Sequence, residues 1–127
     1  MVSSIKKILV VEDEEDIIEL ICEIFDDIVS YETLYARDGE EALRIARTNN
    51  PDIILLDIHL PKMNGYQLCK FIKSDAIMSQ AKIIMLSGMT QNCDILQAQQ
   101  AGADDYIAKP FTSTVLVKKI DALLKND

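Results

Sequence analysis

The chain is short of positive charge, of paired cysteines, of histidine and of any long apolar run, and each shortage closes off a class of function. Its 13 lysines and arginines stand against 21 aspartates and glutamates, a net charge of −8. That sign repels a phosphate backbone, so direct nucleic-acid binding by this chain is not expected. Cys22, Cys69 and Cys93 are odd in number, widely spaced and without a C-x-x-C pair. They are expected as reduced packing thiols, since neither a disulfide framework nor a thiolate metal site fits that pattern. No stretch approaches the ~20 apolar residues of a membrane span, and residues 1–7 lack the apolar core of a signal peptide. A soluble, cytoplasmic protein is expected. There is no internal repeat, low-complexity tract or linker either, and 127 residues with 49% hydrophobic content make a single domain, 1–127.

What the chain does have is a set of aliphatic runs that stop abruptly at reactive groups. Ile53 to Leu56 is a continuous run of branched aliphatics ending at Asp57. Such a run suits a central strand of a parallel sheet, covered by helices on both faces. Ile5 to Val11 ends in the same way at Glu12 and Asp13, and Lys82 to Leu86 ends at Ser87-Gly88. Tyr31 to Arg37 alternates instead, with Leu34 and Ala36 on one side and Tyr31, Thr33 and Tyr35 on the other, which places it at a sheet edge. Asp105 to Ala108 is a short last strand closed by Lys109-Pro110.

Helical spacing fills the intervals. Ile17, Ile21, Ile24 and Ile28, with Ile18 and Phe25, mark a first helix from Glu14 to Ile28. Asp38-Gly39 opens a second, with Ala42, Leu43 and Ala46 inward. Asn64-Gly65 opens a third, with Leu68, Phe71 and Ile72 inward. A fourth, from about Gln91 to Gln100, carries four glutamines and is expected to pack loosely. Thr112 caps a fifth, striped by Leu116, Ile120 and Leu123. Strict strand–helix alternation implies a parallel sheet with right-handed crossovers, whose strand ends share one edge.

That edge would collect Glu12, Asp13, Asp57, Ser87 and Lys109. Crowded carboxylates repel, and a divalent cation relieves the repulsion; oxygen ligands without a His or Cys cluster favour a hard ion, Mg²⁺ before Ca²⁺. A carboxylate nucleophile beside a metal, an ammonium and a hydroxyl donor is what an entering phosphoryl group requires.

The strings Ile8-Leu9-Val10-Val11-Glu12-Asp13, Leu55-Leu56-Asp57-Ile58-His59-Leu60-Pro61-Lys62-Met63-Asn64-Gly65, Leu86-Ser87-Gly88 and Gly102-Ala103-Asp104-Asp105-Tyr106-Ile107-Ala108-Lys109-Pro110-Phe111 closely resemble the receiver domain of two-component response regulators. The resemblance runs over essentially the whole chain. It implies a flavodoxin-like, three-layer α/β fold with five helices and a five-stranded parallel sheet in the order 2-1-3-4-5. It implies Asp57 as phosphoacceptor, Asp13 as a metal ligand, Glu12 as a ligand directly or through water, and the backbone carbonyl of His59 as a further ligand to Mg²⁺. Ser87 would take a phosphoryl oxygen, Lys109 would pair with the phosphate across a cis Lys109-Pro110 bond, and Tyr106 would turn inward as Ser87 moves. His59 and Met89, two places beyond Asp57 and Ser87, would flank the path of an attacking water.

The implied function is a signalling switch without metabolic turnover. Its phosphodonor is a histidine kinase or histidine phosphotransfer protein, and its output is an effector protein or effector domain read through the fourth helix, fifth strand and fifth helix. A monomer is expected, standing alone or belonging to a longer regulator or hybrid kinase. The competing reading is a degenerate receiver that serves as a phosphorylation-independent interaction module. A phosphatase is disfavoured because Asp57-Ile58-His59 lacks the second aspartate of a D-x-D pair, and a flavin protein because the loop after the first strand is acidic.

Overall fold

The computed structural model describes residues 5–88 and 92–125, with only the backbone of 92–94. Five parallel strands, β1 (Lys6–Val11), β2 (Tyr31–Ala36), β3 (Ile53–Asp57), β4 (Lys82–Ser87) and β5 (Asp105–Ala108), form one sheet in the order β2-β1-β3-β4-β5. Between and after them lie α1 (Glu15–Asp26), α2 (Gly39–Asn49), α3 (Gly65–Ser74), α4 (Asn92–Gln100) and α5 (Ser113–Lys125), with a short 3-10 turn at Met78–Gln80. The flavodoxin-like order is as the family resemblance implies, and the alternating strand β2 lies at the sheet edge as its pattern implies.

Strand alternation divides the core into two layers. Leu9, Val11, Ile54, Leu56, Ile83 and Met85 face α2, α3 and α4, where Ala42, Ala46, Leu68, Cys69, Ile72 and Ala98 meet them. Ile8, Val10, Ile53, Leu55, Ile84 and Leu86 face α1 and α5, against Ile21, Phe25, Leu116 and Ile120. All five residues of β3 are buried, so the central strand has no polar face to spend. Each fully buried aliphatic there contributes about 1.5–3 kcal/mol, which fixes the register of the strand that carries Asp57.

The helix starts follow local chemistry. Asp38 accepts the Glu41 N–H at 2.9 Å, while Glu41 reaches back to the Arg37 N–H at 2.8 Å. Asn64 accepts the Tyr66 N–H at 2.7 Å and Thr112 the Val115 N–H at 3.2 Å. Helix α1 has no side-chain cap at Glu14; Glu15 and Asp16 in its first turn serve the helix dipole instead.

Two expectations shift. The buried stripe of α1 is Ile18, Ile21 and Phe25, with Ile17, Ile24 and Ile28 at its margins. Phe71 does not face inward: Cys69 takes the inner place beside Leu68 and Ile72, and Phe71 is 46% exposed with the Arg47 guanidinium 5.9 Å from its ring centroid. A position three residues past Leu68 can lie on the core side or on the flank, and here the Cys69 thiol turns inward and donates to the Ala101 carbonyl at 3.4 Å. The Lys7 Nζ donates to the Asn49 carbonyl at 3.3 Å. Among the described side chains of α4, Ala98 is buried, while Leu96 stands 55% exposed.

One long-range tie closes the α1/α5 layer. The Tyr31 hydroxyl donates to Asp121 Oδ1 at 2.6 Å, joining the start of β2 to α5 across ninety residues of sequence. Burial, reinforced by Asp121, pushes the phenol pKa up, so the hydroxyl stays a donor throughout the neutral range. Tyr31→Phe is expected to lower stability by about 1–2 kcal/mol, the worth of a partly exposed hydrogen bond to a charged acceptor. Urea unfolding with an unchanged m-value is the check, and a midpoint equal to wild type would dismiss the tie.

Candidate functional site

The alternation that builds the core also sorts the reactive groups. Glu12 continues the Ile8–Val10 side, Asp57 the Ile53–Leu55 side, and Lys109 the Ile107 side, so all three lean toward the α1/α5 layer. Ser87 continues the Ile83–Met85 side and shares it with Tyr106, whose place in the sheet is opposite Met85. The charged trio and the Ser87/Tyr106 pair thus occupy opposite faces of one sheet edge.

Backbone bonds carry the ladder one step past the strands and hold these groups in place. The Glu12 N–H donates to the Ala36 carbonyl at 3.0 Å, the Ile58 N–H to Leu86 at 3.1 Å, and the Lys109 N–H to Ser87 at 2.6 Å. The Lys109-Pro110 bond is cis, as the family resemblance implies.

Glu12 is fully buried, Asp57 is 2% exposed and Ser87 3%. Lys109 Nζ lies 2.9 Å from Glu12 Oε1, 3.3 Å from Asp57 Oδ1 and 3.9 Å from Glu14 Oε1. The second Glu12 oxygen accepts the N–H groups of Asp13 and Glu14, each at 3.2 Å. Asp57 Oδ1 also accepts the His59 N–H at 3.3 Å. Burial raises the Glu12 pKa, the Lys109 hydrogen bond opposes that rise, and the charge of Asp57 adds to it. For Lys109 burial acts downward, but Glu12 and Asp57 outweigh it and hold the ammonium above the usual lysine range. Lys109 is therefore a cation at any physiological pH.

One ammonium does not balance the site. Glu12, Asp13 and Asp57 offer carboxylate oxygens that all lie within 4.8 Å of one another. Two are buried and Asp13 is exposed at the rim, so the donor set is all-oxygen, open to solvent on one side and carries excess negative charge. Those features fit a hard divalent ion that keeps some of its waters.

Among the described residues, the structure brings Glu12, Asp13, Asp57 and Lys109 together at one edge of the sheet, where β4 also ends at Ser87. Their pairing was less legible: Lys109 is held by the two carboxylates, and Glu12 is the more deeply buried of them. Glu14, taken from the sequence as a helix start only, comes within reach of Lys109. Gly65 also acquires a meaning beyond helix entry, because a Cβ there would stand 2.4 Å from the Asp57 carbonyl oxygen. His59 is exposed at the rim, and Met89 lies outside the described residues. A cavity of about 520 Å³ at the other end of the sheet, lined by Asn50, Asp52, Ile77 and Gln80 among others, is unrelated to this chemistry. Its one charged group, Asp52, already accepts the Lys7 N–H.

Comparison with known proteins points the same way. Residues 8–121 match the family model described as the response regulator receiver domain. The chain is 39% identical over 120 residues to the alkaline phosphatase synthesis transcriptional regulatory protein PhoP of Bacillus subtilis (strain 168), covering 94% of this chain and 49% of that protein. It thus spans about half the length of the curated relatives it matches. Among solved structures, the signal receiver domain of a signal transduction histidine kinase from Syntrophus aciditrophicus superposes with a TM-score of 0.86 at 32% identity, covering 95% of this chain and 91% of that one. The receiver domain of a sensor histidine kinase from Pseudomonas aeruginosa PAO1, with a magnesium ion coordinated in its active site cleft, gives 0.86 at 28% identity, over 97% and 99% of the two chains. No helix among the described residues is long and apolar enough to cross a membrane.

Proposed function

This chain belongs to the response regulator receiver family, and from that premise we propose that Asp57 accepts a phosphoryl group from a phosphohistidine of a histidine kinase or phosphotransfer protein. The supporting observation is the placement of Asp57: a carboxylate 2% exposed, at the end of a wholly buried strand, clustered with the Glu12 and Asp13 carboxylates and with a lysine 3.3 Å away. An Asp57 oxygen attacks phosphorus, the P–N bond breaks with its electron pair going to nitrogen, and the imidazole, already protonated on its other nitrogen, leaves neutral, giving an acyl phosphate.

Asp13, Asp57 and the His59 carbonyl would hold Mg²⁺, with Glu12 directly or through water. When bound, the ion neutralises charge on the transferring group and on the carboxylates around it. Lys109, already pinned beside Asp57, needs only to exchange part of its carboxylate pairing for a phosphoryl oxygen. Preorganisation of this kind lowers the reorganisation the transition state demands. Ser87 supplies a hydroxyl on the opposite side of the edge, and Tyr106, on that same face, carries the change toward the surface of α4, β5 and α5. The effector protein or domain reads that surface. With a charge of −8 this domain itself contacts no nucleic acid in this reading, and it acts as a cytoplasmic monomer.

Intact-protein mass after incubation with a small phosphodonor tests the proposal on wild type and Asp57→Asn, with and without Mg²⁺. The expected result is one added phosphoryl group, dependent on Mg²⁺ and absent from Asp57→Asn. An unmodified wild type under every donor would leave a phosphorylation-independent interaction module in its place.

A further inference from the structure

Tyr106 sits on the edge strand β5, its ring half-buried against the α2–α3–α4 layer. Lys119 belongs to α5, on the other side of the sheet, yet its ammonium reaches round the edge of β5 to the aromatic ring, 5.6 Å from the centroid. It is held there by Asp105, whose Oδ1 lies 3.0 Å from Lys119 Nζ. The same carboxylate oxygen accepts the Tyr106 backbone N–H at 2.8 Å. One oxygen therefore fixes both the backbone of Tyr106 and the cation over its ring. The Lys119 and Asp105 side chains are only about one-third exposed, so this contact is less screened than a free surface pair.

Rotation of the ring away from this position would leave the ammonium without its aromatic partner, while the Asp105 contact keeps the ammonium from following. The contact consequently stabilises one of two ring positions, which is what is needed to set a resting population. We propose that Lys119 is a positioning residue that retains the Tyr106 ring in its present, partly exposed place in the unmodified domain. It thereby sets how much of the domain already occupies the inward state before phosphorylation. The proposal rests on Tyr106 being the moving aromatic of the switch. It ties α5 directly to the ring, so a partner that engages Lys119 also shifts the ring.

The test uses the whole chain labelled with 3-fluorotyrosine, the Tyr106 fluorine resonance being assigned from its absence in Tyr106→Phe. The shift of that resonance between H₂O and D₂O reports ring exposure without reference to phosphorylation. Lys119→Met keeps the aliphatic stem and removes the charge. It is expected to lower the exposure of the Tyr106 ring, with an inward population raised about two- to fivefold, the range of a partly exposed cation–π contact. Lys119→Arg, which keeps cation and ion pair, is expected to match wild type. Unchanged exposure in Lys119→Met, or equal behaviour of the Met and Arg variants, would overturn the proposal. Intact mass after Mg²⁺ and acetyl phosphate is read on the same samples. A wild type that gains no phosphoryl group refutes the phosphoacceptor reading while the exposure comparison still decides on Lys119. A wild type that gains one with no movement of the Tyr106 resonance overturns the role of the ring, and with it that of Lys119.

Discussion

Gly65→Ala is expected to destabilise the domain by about 3 kcal/mol or more, a fall in Tm of roughly 10 °C for a chain of this size. The added Cβ would stand 2.4 Å from the Asp57 carbonyl oxygen, 2.7 Å from Ile58 Cα and 3.0 Å from the Ile58 carbonyl oxygen. All three are backbone atoms, so no side chain can turn aside. The Gly65 N–H also donates to the Ile58 carbonyl at 2.9 Å, which clamps the first turn of α3 onto the segment leaving β3. Relief requires either α3 to lift from Leu56 and Ile58 or the Asp57–His59 segment to move. The second route displaces Asp57, so phosphoryl uptake should fall with stability. Two other glycines calibrate the effect. Gly102 has φ +94° and would bring a Cβ to 3.2 Å from the flexible Lys73 Cγ, so Gly102→Ala should cost about 1–2 kcal/mol from the left-handed backbone. Gly88 has no described atom within 4 Å of such a Cβ, and Gly88→Ala should be nearly neutral. Urea unfolding of the three variants should rank them in that order; equal midpoints for Gly65→Ala and Gly88→Ala would refute the close-approach account.

Gly65 also shows where sequence reading stops. The fold was legible because its elements are written in periodicity: four of the five strands are aliphatic runs or strict alternation, and three of the helix starts carry a capping side chain at Asp38, Asn64 or Thr112. The candidate site was legible because each run ends at its reactive residue, and parallel topology carries those ends to one edge. Tertiary packing was not legible. Nothing local distinguishes Cys69 from Phe71 as the inner residue of α3; only the fold, which brings the Ala101 carbonyl to 3.4 Å from the Cys69 thiol, does so. Nor does the sequence say that Lys109 satisfies Glu12 and Asp57 together, because that pairing depends on the faces to which strand alternation in β1, β3 and β5 assigns them. Lys119 was hidden for a related reason. Its partners lie on the neighbouring strand, one of them on the opposite face of the sheet, a relation that exists only because β5 is an edge strand.

Lys109→Met is expected to have the second large effect, and a pH-dependent one. Glu12 and Asp57 are buried beside one another, and the Lys109 ammonium is what offsets their mutual repulsion. Removing one member of a buried charge cluster costs about 3–5 kcal/mol if the remaining charges stay ionised. Glu12 has an alternative, which is to bind a proton. Its pKa is already raised by burial, and Lys109 is the group that opposes the rise; without it the pKa climbs further. A carboxyl group with a raised folded-state pKa favours the folded state at low pH and loses that contribution as pH rises toward the raised value. Lys109→Met should therefore lie close to wild type near pH 5 and fall about 3 kcal/mol below it by pH 8. Exposed Lys118 supplies the control, since Lys118→Met should stay within about 0.5 kcal/mol of wild type at both pH values. Added Mg²⁺ should recover more stability in Lys109→Met than in wild type, because the carboxylate cluster then carries one more uncompensated negative charge and binds the cation more tightly. Phosphoryl uptake should nonetheless remain slower than wild type by about 10²–10³, the usual consequence of losing one preorganised donor to the transferring group. A stability deficit that is flat from pH 5 to 8 would show that the Glu12 carboxylate does not depend on Lys109. A normal uptake rate at saturating Mg²⁺ would remove Lys109 from the transfer step.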